Sequence, residues 1–439
     1  MPLKTVKFGG TSLANAGQFR KVKSIIESDG SRRYVVVSAP GKRSEGDTKV
    51  TDMLLSAYER SSTPERFNEE FRAVEERFDA IINDLGLGFS LADEYAKIKE
   101  MFKFRAGRDY IVSRGEYLCA LVMSRYLGFD FIDAEKVVFF NDDGKLAERK
   151  TDEVFGAELA KHEHAVIPGF YGVMPNDTIK TFPRGGSDIT GSICARAAKA
   201  DLYENWTDVP GFYVANPRIV DNPKLIDKIT YQELRELSYM GATVLHEDSI
   251  FPVRLAGIPI CIKDTDDVDA PGTLIIPESP EARRDAPDLT GIAGKKGFSI
   301  ITIQKDMMNG EIGFCRRVLE VLEKKGISIE HVPTGIDSMC VVVRTEYLDG
   351  RRDFILNGIC QAVMPDSIMI EDNIALITVV GRGMNDRYGC LAKVLRAVDD
   401  AKTSVKMIDA GATEMNVIVG VREEDFEKTV RSLYNEIFA

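Results

Sequence analysis

Residues 301–343 and 377–419 carry one pattern twice, at a constant offset of 76 positions. Ile301-Thr302 matches Ile377-Thr378, Met308-Asn309 matches Met384-Asn385, and Gly313 matches Gly389. Val318-Leu319 matches Val394-Leu395, Ser328 matches Ser404, Gly335 matches Gly411, and Val341-Val342-Val343 matches Val417-Ile418-Val419. Each copy reads strand, glycine loop, amphipathic helix, strand, glycine turn, strand, helix. A register held without a gap over about 40 positions marks duplication of a supersecondary unit. Two copies make a paired α+β module, not a solenoid.

The part before the duplication has a different rhythm. Strand patterns at 3–8, 34–38, 129–133, 165–168, 201–206 and 259–263 alternate with helical patterns at 18–27, 67–83, 91–104, 108–127 and 188–198. Such alternation predicts a mainly parallel sheet with helices on both faces. The stretch 49–104 is almost wholly helical and reads as an excursion beside the sheet. The segment 277–288 (PESPEARRDAPD) has three prolines and few apolar residues and reads as a linker. The expected division is a catalytic domain over 1–276, a linker over 277–288, and modules over 289–373 and 374–439.

At 439 residues the chain exceeds one ordinary core. With 44% hydrophobic and 29% charged residues it has the composition of a soluble globular protein. A net charge of −12 without a dense basic block disfavours nucleic acid as a partner. No apolar run approaches a membrane span. The first residues show no cationic-then-apolar leader, so the expected location is cytoplasmic. Seven cysteines (Cys119, Cys194, Cys261, Cys315, Cys340, Cys360 and Cys390) are scattered, as in a reducing compartment. His162 and His164 lack partners at zinc-like spacing, so no protein-held metal is expected.

Chemistry concentrates at four places. Lys7-Phe8-Gly9-Gly10-Thr11-Ser12 follows the apolar run 3–6: a strand enters a glycine turn whose N–H groups can close on phosphate oxygens, with a lysine to offset their charge. It is neither a Walker loop nor a dinucleotide fingerprint. Ser113-Arg114-Gly115-Glu116 lies on a helix. Arg184-Gly185-Gly186-Ser187-Asp188 opens a helix, where N–H groups favour an anion and Arg184 can grip a carboxylate. Trp206-Thr207-Asp208-Val209-Pro210-Gly211 ends a strand, where ligand contacts gather in α/β sheets. Taken singly, each is also an ordinary helix start or strand exit.

In this order, and with Gly241-Ala242-Thr243-Val244-Leu245-His246, the motifs resemble the aspartokinases of the amino-acid-kinase superfamily, and the duplicated tail resembles a pair of ACT domains. The resemblance covers almost the whole chain. It implies an α/β fold: an amino-acid-kinase three-layer sandwich with a mainly parallel sheet, followed by two α+β (ferredoxin-like) ACT regulatory domains. It implies transfer of the ATP γ-phosphoryl group to the β-carboxylate of L-aspartate, with Mg²⁺ and without a phosphoenzyme. The product, 4-phospho-L-aspartate, is the first intermediate toward lysine, threonine, methionine and diaminopimelate. By motif match, Lys7 lies over the transferring phosphoryl group, with Gly9, Gly10 and Ser12 on the phosphates. Asp188 orients the lysines or the metal-bound phosphates. Glu116 holds the aspartate amine, Arg184 its α-carboxylate, and Ser187 and Thr51 complete that pocket. Thr207, Asp208, Tyr213 and Arg218 line the nucleotide site.

Family members often carry lysine where this chain has Thr243, and proline where it has Glu247. Arg218 or Lys42 is the expected compensation. The charged loop 41–49 is read as mobile, and a lid role is one hypothesis for it. ACT pairs typically bind amino acids, and Met308, Gly313, Glu330 and Asp337 are the expected effector contacts, with lysine the first choice of ligand and threonine the second. A homodimer or tetramer through these modules is expected. A fused homoserine dehydrogenase is not. The alternatives are another acid kinase of the superfamily, such as a glutamate or carbamate kinase, and an inactive amino-acid sensor.

Overall fold

The computed structural model describes residues 2–439 except 184, 243, 244, 246, 285, 286, 385, 386 and 411–414, with no side-chain description at 247, 248 and 283. The chain divides into two compact units: Met1–Phe212, Leu225–Tyr231 and Val244–Glu278 form the first, and Tyr213–Lys224, Gln232–Thr243 and Ser279–Ala439 the second.

In the first unit the order is β1 (Lys4–Phe8), α1 (Ala16–Glu27), β2 (Arg32–Val37), α2 (Val50–Arg60), α3 (Pro64–Asp84), α4 (Ala92–Lys103), α5 (Arg108–Leu127), β3 (Asp130–Phe131), α6 (Glu148–Leu159), β4 (Ala165–Pro168), β5 (Tyr171–Val173), β6 (Ile179–Thr181), α7 (Gly186–Ala197) and β7 (Leu202–Thr207). It continues with β8 (Lys228–Thr230), α8 (Tyr231–Tyr239), whose residues beyond the first belong to the second unit, α9 (Glu247–Ala256), β9 (Ile260–Asp264) and β10 (Thr273–Ile276). Helix starts follow local chemistry. Asn15 accepts the Gln18 N–H at the head of α1, and Thr63 caps α3 ahead of Pro64.

The sheet order is β3-β4-β2-β1-β7-β9-β10-β8, parallel except between β9 and β10. Strand periodicity sends alternate side chains to opposite cores. Val6, Phe8, Val35, Val37, Val166 and Trp206 join the core of α1 to α5, whereas Tyr34, Val36, Ala165 and Ile167 join that of α6 and α7. This is the expected three-layer arrangement. The stretch read as an excursion is instead part of a layer, because Phe67, Phe71, Val74 and Phe78 of α3 share the core of Val6 and Phe8. The hairpin β5-β6 and the strands β8 and β10 are three or four residues long, too short to show a period.

The second unit contains α10 (Pro280–Arg284), β11 (Gly291–Gln304), α11 (Phe314–Glu323), β12 (Ser338–Arg344), α12 (Arg352–Val363), β13 (Ser367–Val380), α13 (Cys390–Asp400), β14 (Met407–Asp409), β15 (Asn416–Arg422) and α14 (Phe426–Phe438). A helical turn thus stands where a plain linker was expected. One five-stranded sheet, β12-β11-β13-β15-β14, serves both copies. Within the two 14-residue strands, Phe298–Gln304 of β11 pairs with the first half of β13, and Gly291–Lys295 with the second half. The expected boundary at 373/374 therefore falls inside β13. Ile301, Val318, Val341 and Ile359 form one core, and Ile377, Val394, Val419 and Val430 the other.

Helix α8 docks within this unit through buried polar groups. Arg382 Nη1 donates to Glu233 Oε2 at 2.5 Å, and Asn416 Nδ2 to Glu236 Oε2 at 2.6 Å.

The duplication extends to backbone detail. Gly313 and Gly389 precede α11 and α13 with φ of +79° and +88°, a region where a Cβ is strained. Gly313→Ala and Gly389→Ala should each cost about 1 kcal/mol, read by urea unfolding of the full chain with far-UV circular dichroism. A neutral result at either position would show that its copy does not need the left-handed turn.

Candidate active site

The carboxyl ends of β1, β2, β4 and β7 meet the N-terminal turn of α7. Lys7 and Asn205 are register neighbours on β1 and β7, so their side chains leave the sheet on the same face. Both reach Asp188 in the first turn of α7: Lys7 Nζ lies 2.6 Å from Oδ1, and Asn205 Nδ2 donates to the same oxygen at 2.8 Å. Lys7 is 6% exposed. The helix start is built by Gly185, whose φ of +64° turns the chain into α7, and the positive end of the helix favours the Asp188 charge.

The glycine turn after β1 is held by backbone contacts. Gly9 N–H donates to Trp206 O at 2.9 Å, and Gly41 N–H to Gly10 O at 2.7 Å. A Cβ on Gly10 would meet Ala39 O at 2.8 Å, and one on Gly41 would meet Gly10 C at 2.6 Å, so this crossing requires both glycines. Around Gly9 stand Lys7 Nζ and Thr207 Oγ1, 3.7 and 3.9 Å from the position a Cβ would take. Ser12 Oγ and Thr265 Oγ1 are 2.7 Å apart, and Thr265 N–H donates to Thr207 O at 2.9 Å. Lys7, Gly9, Gly10, Ser12 and Thr207 therefore form one group. Asp208 follows, exposed, accepting from the Thr207 hydroxyl at 3.2 Å.

The second group surrounds Ala39, at the end of β2. Gly115 lets α5 approach, since a Cβ there would meet Ala39 Cβ at 2.8 Å. Glu116 accepts a bond from the Ala39 backbone, while its buried Oε2 has no partner among the described residues. Burial pushes the Glu116 carboxyl up to about 8, against the lowering effect of the Ala39 bond. Ser187 is buried and closes on Gly169, where a Cβ would fall 2.7 Å from that of Ser187. Thr51 is half-buried in the first turn of α2. Arg114 lies within 5.0 Å of the rings of Tyr110, Tyr117 and Tyr171, which makes it a packed cation of the scaffold.

The ends of the loop read as mobile are anchored at Gly41 and Asp47. Arg43 grips Asp47 through Nε and Nη2 at 2.8 and 3.0 Å, and buried Arg77 reaches Asp47 at 2.7 Å and Gly41 O at 3.2 Å. The bond from Arg43, with the charge of Arg77, holds the Asp47 carboxyl well below the usual carboxylate range. Arg43 and Asp47 of the loop thus pair with each other and with Arg77 of α3, which a sequence pattern does not reveal.

Arg184, Thr243, Val244 and His246 of the expected motifs, and Asn385 and Gly411 of the duplication, lie outside the described residues, and the side chain of Glu247 is not described. Tyr213 and Arg218 fall in the second unit, in the segment Tyr213–Lys224. Of the effector candidates, Met308 is buried in the loop before α11, Gly313 starts that helix, and Asp337 Oδ1 accepts the Met307 N–H at 2.9 Å. Glu330 stands apart from them. It pairs with Arg344 at 3.2 Å and accepts from the Tyr239 hydroxyl at 2.5 Å. Arg344 ends β12 and Asp337 precedes its start, so the seven-residue strand separates the two carboxylates by roughly 20 Å. Glu330 and Asp337 of one chain therefore do not grip one small ligand together.

Sequence reasoning missed Asn205, Gly41, Thr265 and Gly169. A signal existed for the first: Glu204 and Asn205 are adjacent polar residues inside an apolar central strand. Among the described residues no group of three or more His, Cys, Asp or Glu is placed to hold a metal ion, and no helix is long and apolar enough to cross a membrane.

The chain matches the amino acid kinase family over residues 3–264 and the ACT domain over 377–437. It is 38% identical to aspartokinase 3 of Bacillus subtilis across 100% of this chain and 99% of that protein. It superposes on the crystal structure of Clostridium acetobutylicum aspartate kinase with a TM-score of 0.89 at 45% identity, covering both chains fully. Escherichia coli aspartokinase III, also fully covered, matches with a TM-score of 0.72 at 25% identity in its complex with aspartate and ADP, and 0.73 at 26% in its complex with lysine and aspartate. A glycine turn beside a buried lysine, a second glycine turn opening a helix, and a duplicated α+β unit thus coincide with full-length similarity: the chain belongs to the amino acid kinase family and, within it, to the aspartokinases.

Proposed function

We propose that this chain transfers the γ-phosphoryl group of ATP to the β-carboxylate of L-aspartate, giving 4-phospho-L-aspartate and ADP. The reading is carried by the buried Lys7 ammonium, fixed by Asp188 beside the Gly9-Gly10 turn. A carboxylate oxygen of aspartate attacks phosphorus, the bond to the β-phosphate bridging oxygen breaks, and ADP leaves. The acceptor is already ionised at neutral pH, so no general base is needed. What the reaction needs is in-line placement and cations for the charge on the transferring group. Lys7 supplies that charge, Gly9, Gly10 and Ser12 hold phosphates, and Asp188 orients Lys7. Thr207 and Asp208 line the nucleotide site, to which Tyr213 and Arg218 are assigned by the resemblance alone. Mg²⁺ would arrive on the phosphates of the nucleotide.

On the substrate side, Glu116 receives the ammonium of aspartate, and Ser187 and Thr51 complete the pocket. Arg184 takes the α-carboxylate in this reading. Among the described residues nothing donates to the buried Glu116 Oε2, which supports the assignment, since such an acceptor matches a cationic group brought by the ligand. For the regulatory unit the reading is feedback by an amino acid, lysine before threonine, with Met308, Gly313 and Asp337 as contacts. The lysine complex of Escherichia coli aspartokinase III supports it. Assembly into a dimer or tetramer through this unit is part of the proposal, as is a cytoplasmic location.

A coupled assay with ATP, Mg²⁺ and single amino acids should release ADP with L-aspartate and not with L-glutamate. Release with glutamate alone would move the chain to another acid kinase, and no turnover with any acid would make it a sensor. Lys7→Ala should lower kcat by about 10² or more with the fold intact by circular dichroism, and a near-normal kcat would remove Lys7 from its role.

Glu116 gives a pH signature. Below about 8 its carboxyl is mostly protonated and cannot pair with the substrate ammonium. Accordingly kcat/KM for aspartate should rise with pH toward about 8 and then flatten, and Glu116→Gln should be low and flat. Stability runs the other way. The folded-state value exceeds the unfolded one, so the favourable contribution is complete below the ordinary carboxylate range and is lost as pH rises to about 8. Urea midpoints should fall over that interval in the parent and stay level in Glu116→Gln. A pH-independent kcat/KM in the parent would refute the assignment.

A further inference from the structure

We infer that Asn205 is a positioning residue for phosphoryl transfer, acting through Asp188 to present Lys7. The inference rests on the reading that Lys7 meets the transferring group. Asn205 lies at the centre of β7, between β1 and β9, and is 1% exposed. Such a position suits a β-branched apolar residue, and a buried carboxamide is unfavourable unless hydrogen-bonded. Here its bonds run to the active site. Nδ2 donates to Asp188 Oδ1 at 2.8 Å, the oxygen that also takes the Lys7 ammonium at 2.6 Å. A carboxylate only accepts, so the amide can present only its nitrogen to it, and the orientation of Asn205 is fixed. Tyr203, two residues earlier on the same face, places its hydroxyl 3.5 Å from Nδ2 and donates to Asp188 O at 3.4 Å. A Cβ on Gly191 would overlap that hydroxyl, so α7 is seated on it.

The consequence concerns how Asp188 shares its charge. Two donors on Oδ1 fix the carboxylate rotation and divide its pull between an ammonium and an amide. Among the described residues nothing donates to Oδ2, and the side chain of Asp188 is 19% exposed. Without the amide, Asp188 can swing and hold Lys7 alone, and Lys7 is then held less well for an incoming phosphoryl group. The titratable groups facing position 205 are Lys7 from β1, Asp188 from α7 and Tyr203 from β7 itself, while β9 sets Ile262 beside it.

The test compares Asn205→Leu, Asn205→Asp and Lys7→Ala with the parent, using initial rates from pH 6 to 9 and urea unfolding as the fold control. Asn205→Leu, close in shape, should lower kcat about tenfold at every pH, with the KM for aspartate within about twofold of the parent. In Asn205→Asp two carboxyl groups face each other and share a proton at lower pH, reproducing the donated bond. Its kcat should approach the parent's near pH 6 and fall about tenfold or more as that proton is lost on the way to pH 9. A purely structural asparagine would give a pH-independent loss in Asn205→Asp, and that result, or a parental kcat in Asn205→Leu, overturns the inference. If Asn205→Leu does not fold, the pH profile of Asn205→Asp decides alone. A parental kcat in Lys7→Ala would instead overturn the underlying reading of the site.

Discussion

The contact between Lys7 and Asp188 is the constraint around which the first unit is arranged. A buried ammonium and a largely buried carboxylate are costly to remove from water, and their attraction only roughly offsets that cost. The pair is therefore weak support for the fold and strong support for a chemical role. Its geometry depends on β1 lying between β2 and β7, and on α7 covering the face to which odd-numbered Lys7 and Asn205 point. The opposite face holds Phe8 stacked on Trp206 at 6.1 Å and the buried ion pair of Arg32 with Glu204 at 2.8 Å. Both faces of the sheet are cores, and the α7 face also carries the Lys7 and Asn205 side chains; strand periodicity keeps them apart from Phe8 and Trp206.

Close backbone approach is the second requirement. Gly10 against Gly41, Gly115 against Ala39 and Gly169 against Ser187 bring three loops and two helices to the ends of three strands. Glu116 is the clearest case of a residue whose surroundings define its use: a carboxyl buried far from water, half satisfied, and raised to about 8. The second unit is organised differently. Its two copies share β11 and β13, so each long strand belongs to both cores. A change in one copy is thus covalently and by hydrogen bonds continuous with the other.

Much of this was legible in the sequence. The hexapeptide ending at Ser12, the helix carrying Glu116 and the glycine pair before Asp188 are local signals, because turns and helix starts depend on the residues that form them. The long helices α3 and α5 were legible because their periods repeat many times. The short strands β5, β6, β8 and β10 were not, because three or four residues show no period and their pairing is set by neighbours far along the chain.

The sequence by itself determined the elements, the duplication and the chemical types at the strand ends, since these depend on local conformational preference and on periods of two and 3.6 residues. Only the tertiary structure decided which of those residues meet. Asn205, read in sequence as one more strand residue, faces Asp188 because β1 and β7 are in register and α7 crosses above them. In the charged loop 41–49, Asp47 and the Gly41 carbonyl are held by Arg77, on a distant helix. Contacts of that kind join residues tens to hundreds of positions apart, and no local preference encodes them.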